Sequence, residues 1–436
     1  MEYARLLSEY DYADVRIERG ADSLVTLKDS ETKVNAGNFF GISVRVLKNG
    51  AWGFASSNLP ETGIGKLLRK AESLAAISRS TSSVSEVRPE KKRIQERFRI
   101  TPAEEQVSEL LGVKKLMEGK DIFSTMLSCS DARTTSEFYS SEGSEIIQEY
   151  SHTYLSCLAV ARCGTTIQRA VETAASRKGF RGLALDTPCI SARERVQRLL
   201  KAKRPPKGRF GAVLDPEMTG VLTHEVVGHA SEADSVASSE SIFAGKRGMK
   251  IANGLVNIVD DPSAPYFGHY AYDDEGVKGK KVGIIKNGVL AEYLNSRETA
   301  RETGAVPNGH ARAEDVSRVP IVRMSNTFFL PGKDSKGSVF DLRSGIYLKG
   351  MLGGSVDTFT GGFMFKAEEA YRIKNGAEED LLRDVAITGN ILDVLKNIAA
   401  VGKDFGTSPG VCGKFGQGVP VEDGGPHIRV NGIVVG

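Results

Sequence analysis

The stretch THEVVGHASEAD, residues 223–234, sets two histidines and a glutamate close together in the chain. Two imidazoles four apart on one helix face, with a glutamate beside the first, can hold a zinc ion and supply a general base. Here His224 and His229 are five apart, and Glu225 keeps the usual place. Positions four apart differ by about 40° around a regular helix, whereas positions five apart differ by about 140°. Rings at that angle cannot meet one ion from an undistorted helix. Gly228 is where the backbone is expected to yield, by ending the helix or by taking a wider π-type turn. With that widening five residues act as one turn and both rings face one ion. The alternative is two unrelated histidines, although a chain with six histidines rarely produces this pattern by chance.

Catalytic zinc needs a further protein ligand and an open position. Downstream candidates are His269, His310, His427, Cys412 and several carboxylates, including those of YDDEG, residues 272–276. Cys412 is the strongest on chemical grounds. It lies in GVCGKFGQG, where small neighbours let a loop approach an ion, and thiolate suits zinc. The bland alternative is an ordinary buried cysteine. YDDEG also raises a second-ion reading, against the commoner fate of acids in a turn. Arg312 and Arg323 are candidates for a substrate carboxylate, against ordinary surface ion pairing.

The motif needs a helix, and the sequence provides one over about 216–232. Asp215 can cap it, Pro216 suits its first position and Glu217 its positive end. Upstream, DVRIERG, SLVTLKD and GISVRVLKNGAWGFAS alternate as half-buried strands, the last folding back at Asn49-Gly50. GIGKLLRKAESLAAI aligns Ile64, Leu67, Leu68, Ala71, Leu74 and Ala75 on one helical face. A second cycle follows: a helix near 103–118, strands through EIIQEYSHTYLSCLAVARC and a helix around 193–202. The two cycles hint at an internal repeat. KAKRPPKGRFG, residues 201–211, reads as a linker. Beyond it, GIIKNGVLAEYL reads as a hairpin at Asn287-Gly288, GGFMFKAEEAYRIKNG as a strand pair, and the tail as glycine-rich loop ending in a short strand. The expected class is α+β: a mixed α/β N-terminal domain (1–204), then a mainly antiparallel β C-terminal domain (205–436) carrying the motif helix.

Composition narrows the function. With 40% hydrophobic and 26% charged residues the chain reads as soluble and globular. A net charge of +3 without a long basic run gives little support to a dedicated nucleic-acid binder. No phosphate loop or dinucleotide fingerprint occurs. No signal peptide opens the chain, and no stretch approaches the roughly 18 apolar residues of a membrane span. Five sparse cysteines suit a reduced compartment, so a cytoplasmic protein is expected.

GADSLVTLKD…GISVRVLKNGAWGFAS, GVLTHEVVGHASEAD, DDEG, RMSNTFFLPGK, GGFMFKAEEAYRIKNG and VCGKFGQGVPV, in that order, resemble the blocks of the TldD branch of the TldD/PmbA family. These are zinc metallopeptidases once described as modulators of DNA gyrase. The resemblance covers nearly the whole chain. It implies one Zn2+ per subunit on His224, His229 and Cys412, with Glu225 as catalytic base to a metal-bound water. It also implies peptides or unfolded segments as substrates, within a homodimer or a heterodimer with a PmbA-like subunit. The N-terminal domain would then serve assembly and wall the cavity. Where the family often has HGLEGD, this chain has HASEAD, so the helix is expected to run further. Glu232 and Asp234 are retained, as partners of the ligands or as a solvated helix end. Rival expectations are a noncatalytic peptide-binding subunit, a closed structural zinc site and a DNA-associated protein.

Overall fold

The computed structural model describes residues 2–78 and 81–436. The first half is one seven-stranded sheet. Its strands are β1 (Tyr12–Lys28), β2 (Glu31–Lys48), β3 (Ala51–Ser57), β4 (Lys91–Gln95), β5 (Ile122–Ser140), β6 (Glu145–Cys163) and β7 (Thr166–Ser176). The order is β3-β2-β1-β5-β6-β4, and β7 also pairs with β6. Each of β1–β3 and β5–β7 is an antiparallel meander followed by a helix, so the two cycles in the sequence are two copies of one architecture. DVRIERG and SLVTLKD are not separate strands but the two ends of β1. The β2–β3 turn is at Asn49 (φ 52°) and Gly50 (φ 78°), the positive pair a tight hairpin requires.

Helix Ile64–Ile77 buries Leu67, Leu68, Ala71 and Ala75, while Leu74 stays 40% exposed. It packs backbone against sheet: a Cβ on Gly53 would lie 1.8 Å from Ala71 O. Helix Asp186–Leu199, longer at its start than the sequence suggested, buries Ala192 and Val196 against Leu127, Leu155 and Cys157.

The second half holds two further large sheets. In one, strands 208–214, 428–435, 386–390, 362–374 and 344–356 pair successively, and the last returns to the first, closing a ring. GGFMFKAEEAYRIKNG supplies a single strand of it, Gly362–Lys374, which turns at Asn375-Gly376. In the other, strand 326–329 joins 258–260 to the hairpin Gly406–Lys414/Gln417–Gly425. Most pairings are antiparallel, as expected for an α+β chain. The glycine-rich tail is therefore not loop. Its glycines permit close contact: a Cβ on Gly424 would lie 2.7 Å from Gly406 O. Among the described residues no helix is long and apolar enough to cross a membrane.

YDDEG clasps the halves together, and its acids are not part of a metal-ligand grouping among the described residues. Asp273 accepts the N–H groups of Glu275, Val277 and Ala311, Asp274 pairs with Arg16 at 3.2 Å, and Glu275 pairs with Arg45 at 3.0 Å. Each acid is taken by a fixed donor, which leaves none to converge on a cation.

Candidate metal centre

Helix Pro216–Thr223 starts as its sequence dictates. Asp215 Oδ1 accepts the Met218 N–H at 2.8 Å, and Pro216 occupies the first turn. Gly220 lets the helix press onto strand Gln417–Gly425, since a Cβ there would lie 2.6 Å from Gly424 N. That contact brings His224 to Asp423. From His224 to Gly228 the chain takes a π turn, closed by the His229 N–H donating to His224 O.

The widened turn is where the sequence placed it, but the glycine acts differently from expectation. Gly228 has ordinary right-handed angles, φ −56° and ψ −62°. Its missing side chain provides space: a Cβ would lie 1.9 Å from the sulfur of buried Met324. The helix does not run on past the motif. Glu232 breaks it at φ −70°, ψ 118°, and a short helix restarts at Ala233.

The π turn and the tail hairpin together assemble three donors. The ligating atoms of His224, His229 and Cys412 all lie within 4.8 Å of one another, with Cys412 Sγ 3.5 Å from His229 Nε2. Each imidazole uses its other nitrogen for a carboxylate. His224 Nδ1 donates to Asp423 at 2.6 Å, and His229 Nδ1 to Glu232 at 3.0 Å. Such partners fix tautomer and ring direction, leaving each Nε2 for the shared point. Lys414, two residues past Cys412, bridges Glu232 (3.1 Å) and Asp234 (2.7 Å), so these acids are partners of the site and not a solvated helix end. Arg323 braces the hairpin from below by donating to Cys412 O and Gln417 O.

The three donors stabilise one another's charged forms. Burial alone would push His224 down, but Asp423 and the Cys412 thiolate hold it well above the usual histidine range. Burial opposes the change at His229 too, yet Glu232 and Cys412 bring it up to about 10. Burial would raise the Cys412 thiol, but the two imidazoles draw it down to about 5. Asp423, Glu232 and the Cys412 thiolate thus favour positive charge at the two imidazoles. Glu225 is the most open member, its side chain 31% exposed and its Oε2 3.9 Å from His229 Nε2.

The other candidates lie elsewhere. His310 is fully buried between Asn308 and Asp260, the half-buried His427 bonds Tyr347 and Asp404, and His269 donates to Pro262 O. Arg312 and Arg323 are neither surface-paired nor free for substrate. Both are buried and tie backbone carbonyls, Arg312 those of Met324 and Pro420. Asp423 escaped the sequence reading. The signal was there: Val419, Val421 and Asp423 share one strand face, and a carboxylate in phase with buried valines needs a partner.

Residues 207–436 match the family model described as the PmbA/TldA metallopeptidase C-terminal domain, and residues 13–77 match its domain 1. The chain belongs to the TldD/PmbA metallopeptidase family. A metalloprotease of Methanothermobacter thermautotrophicus is 40% identical over 98% of this chain and 95% of its own length. A zinc metalloprotease TldD homologue of Saccharolobus solfataricus is 33% identical over 98% and 96%. Among solved structures, TldE from Thermococcus kodakarensis superposes with a TM-score of 0.80 at 19% identity, covering 100% of this chain and 98% of that one. A proposed modulator of a DNA gyrase from Thermotoga maritima superposes at 0.82 with 19% identity, covering 100% and 99%. At that identity the two share the fold.

Proposed function

We propose that this member of the family is a zinc-dependent peptidase acting on peptides or unfolded polypeptide segments. The observation that carries the proposal is the convergence of His224, His229 and Cys412 beside a half-open glutamate. Two imidazoles and a thiolate suit zinc, and three protein donors leave the open position of a catalytic site where a structural site would be closed by a fourth. Each imidazole is already aimed by a buried carboxylate, which further fits a metal. A bound zinc ion supplies Lewis acidity that activates water and polarises a peptide carbonyl.

The chain supplies the rest. Glu225, fixed next to His224, takes the proton of the attacking water at its carboxylate and hands it to the leaving amine nitrogen. Asp423 and Glu232 hold the imidazoles in register, and Lys414 keeps Glu232 in place. Residues 205–436 carry this chemistry, and residues 1–204 serve assembly and wall the substrate cavity; the C-terminal family match beginning at residue 207 supports that division. The working form is a dimer, with a second copy or a PmbA-like subunit, in the cytoplasm. The TldE likeness supports a partner of this fold.

The test is metal analysis with cleavage of a mixed peptide library. Glu225→Gln should retain zinc and peptide binding and lose cleavage by about 10²-fold or more. Unchanged cleavage in this variant removes the catalytic role of Glu225, whereas zinc and peptide binding by the wild type without any cleavage leaves a noncatalytic peptide-binding subunit. Chelator should abolish wild-type cleavage.

A further inference from the structure

Between the face of the first sheet and the loops of the second half lies a cavity of about 720 Å3. None of the three metal donors lines it. Its floor comes from β1, β5 and β6, including Glu18, Ser136 and Tyr150, and its roof from Tyr270 and the segment Arg312–Ser317. The volume falls within the range that holds a small organic ligand.

Its charge is one-sided. Glu18, Asp22, Glu314 and Asp315 all line it; among the described residues Asp22, Glu314 and Asp315 form no ion pair, and Glu18 lies near Arg16, which is itself paired with Asp274. Asp22 and Glu314 are exposed at the rim, whereas Glu18 is only 9% exposed. Glu18 faces Arg16, Asp274 and Asp315 and accepts a hydrogen bond from the Val316 N–H. Burial lifts its carboxyl to about 7. The one arginine in the lining, Arg312, is turned to the carbonyls of Met324 and Pro420 and lies over the Tyr270 ring. Phe40, Tyr150 and Tyr272 add aromatic surface.

These acids do not converge on a metal. Among the described residues the one group with metal-ligand spacing is His224, His229 and Cys412. Carboxylates spread along an aromatic-walled cavity suit an elongated ligand with an apolar stem and a cationic end, where ring faces and acids both attract the cation. We infer that this cavity binds a primary alkylammonium group, carried by a polyamine or by a lysine side chain of a peptide. The site is distinct from the metal centre and does not depend on it.

The experiment is calorimetric titration of the full-length protein with 1,5-diaminopentane and with N-acetyl-lysine methylamide. 1-Pentanol and the norleucine analogue serve as uncharged controls. Saturable binding of either amine at one site per chain is expected, weakening with added NaCl. Asp22→Asn, at the exposed rim, should weaken it several-fold without affecting folding. Glu18→Gln with Asp22→Asn should weaken it at least tenfold, and Ser136→Phe should block it. Cys412→Ser should leave it unchanged. Binding of the diamine alone identifies a polyamine, and binding of the lysine compound alone a peptide side chain. Amines that bind no better than the uncharged controls overturn the inference, as does full binding by the Asp22→Asn and Ser136→Phe variants or loss of binding in Cys412→Ser.

Discussion

The His229 N–H donates to the carbonyl of His224, five residues earlier, and the two imidazoles stand 5.2 Å apart at 88° to each other. A regular helix would send these rings to different faces. The π turn returns them to one face and, with Cys412 from the tail hairpin, completes a donor set drawn from segments nearly two hundred residues apart.

That turn depends on room at Gly228. Gly228→Ala places a methyl against the buried Met324 sulfur, an overpacking expected to cost about 1–3 kcal/mol and to lower zinc occupancy. Gly228→Ala with Met324→Ala should recover zinc binding, because the methyl then has space. Chemical unfolding and metal analysis of both variants check this. A single variant with wild-type stability and zinc content would show that the turn does not need the space.

Asp423 orients His224 at 2.6 Å from a strand that also abuts Gly220. Removing such a partner typically costs 10–100-fold in metal affinity. Asp423→Ala should therefore bind zinc about 10–100-fold more weakly in competition with a chromogenic chelator. Affinity equal to wild type would make the hydrogen bond incidental.

Glu217, in the first turn of the motif helix, has its carboxyl raised to about 7, by burial first and then by Asp215. A carboxyl raised by folding contributes stability below its unfolded pKa, about 4.5, and loses it as pH climbs through 7. Between pH 4.5 and 7 this group should cost the fold on the order of 2 kcal/mol, some of the shift being screened because Glu217 is only half-buried. Glu217→Gln removes that loss. Denaturant titrations at pH 5 and pH 8 should show a smaller decline for the variant. Equal declines would mean that Glu217 titrates normally.

Local chemistry made part of this fold legible. Asn49-Gly50 and Asn287-Gly288 announce hairpins because both residues tolerate positive φ, which they adopt. The helix over 64–77 announces itself by period, and the motif helix by Asp215 and Pro216. The tail hid its strands because glycine has no side chain to alternate; Gly406 and Gly424 become meaningful only once they touch. Arg312 and Arg323 looked like surface charges because nothing local reveals that each meets carbonyls from distant segments. The spacing of His224 and His229 demanded a distortion that the structure contains. Asp423 and Lys414, which complete the surroundings of the histidines, are long-range partners that the motif alone does not name.

X-ray absorption at the zinc edge of the zinc-loaded protein reads out whether one ion sits between His224, His229 and Cys412. The expected spectrum has one sulfur at about 2.3 Å and two imidazole nitrogens at about 2.0 Å, with an oxygen from solvent as fourth neighbour. The sulfur shell should vanish in Cys412→Ser. A wild-type spectrum without sulfur, or a sulfur shell that survives Cys412→Ser, would contradict that placement of the ion.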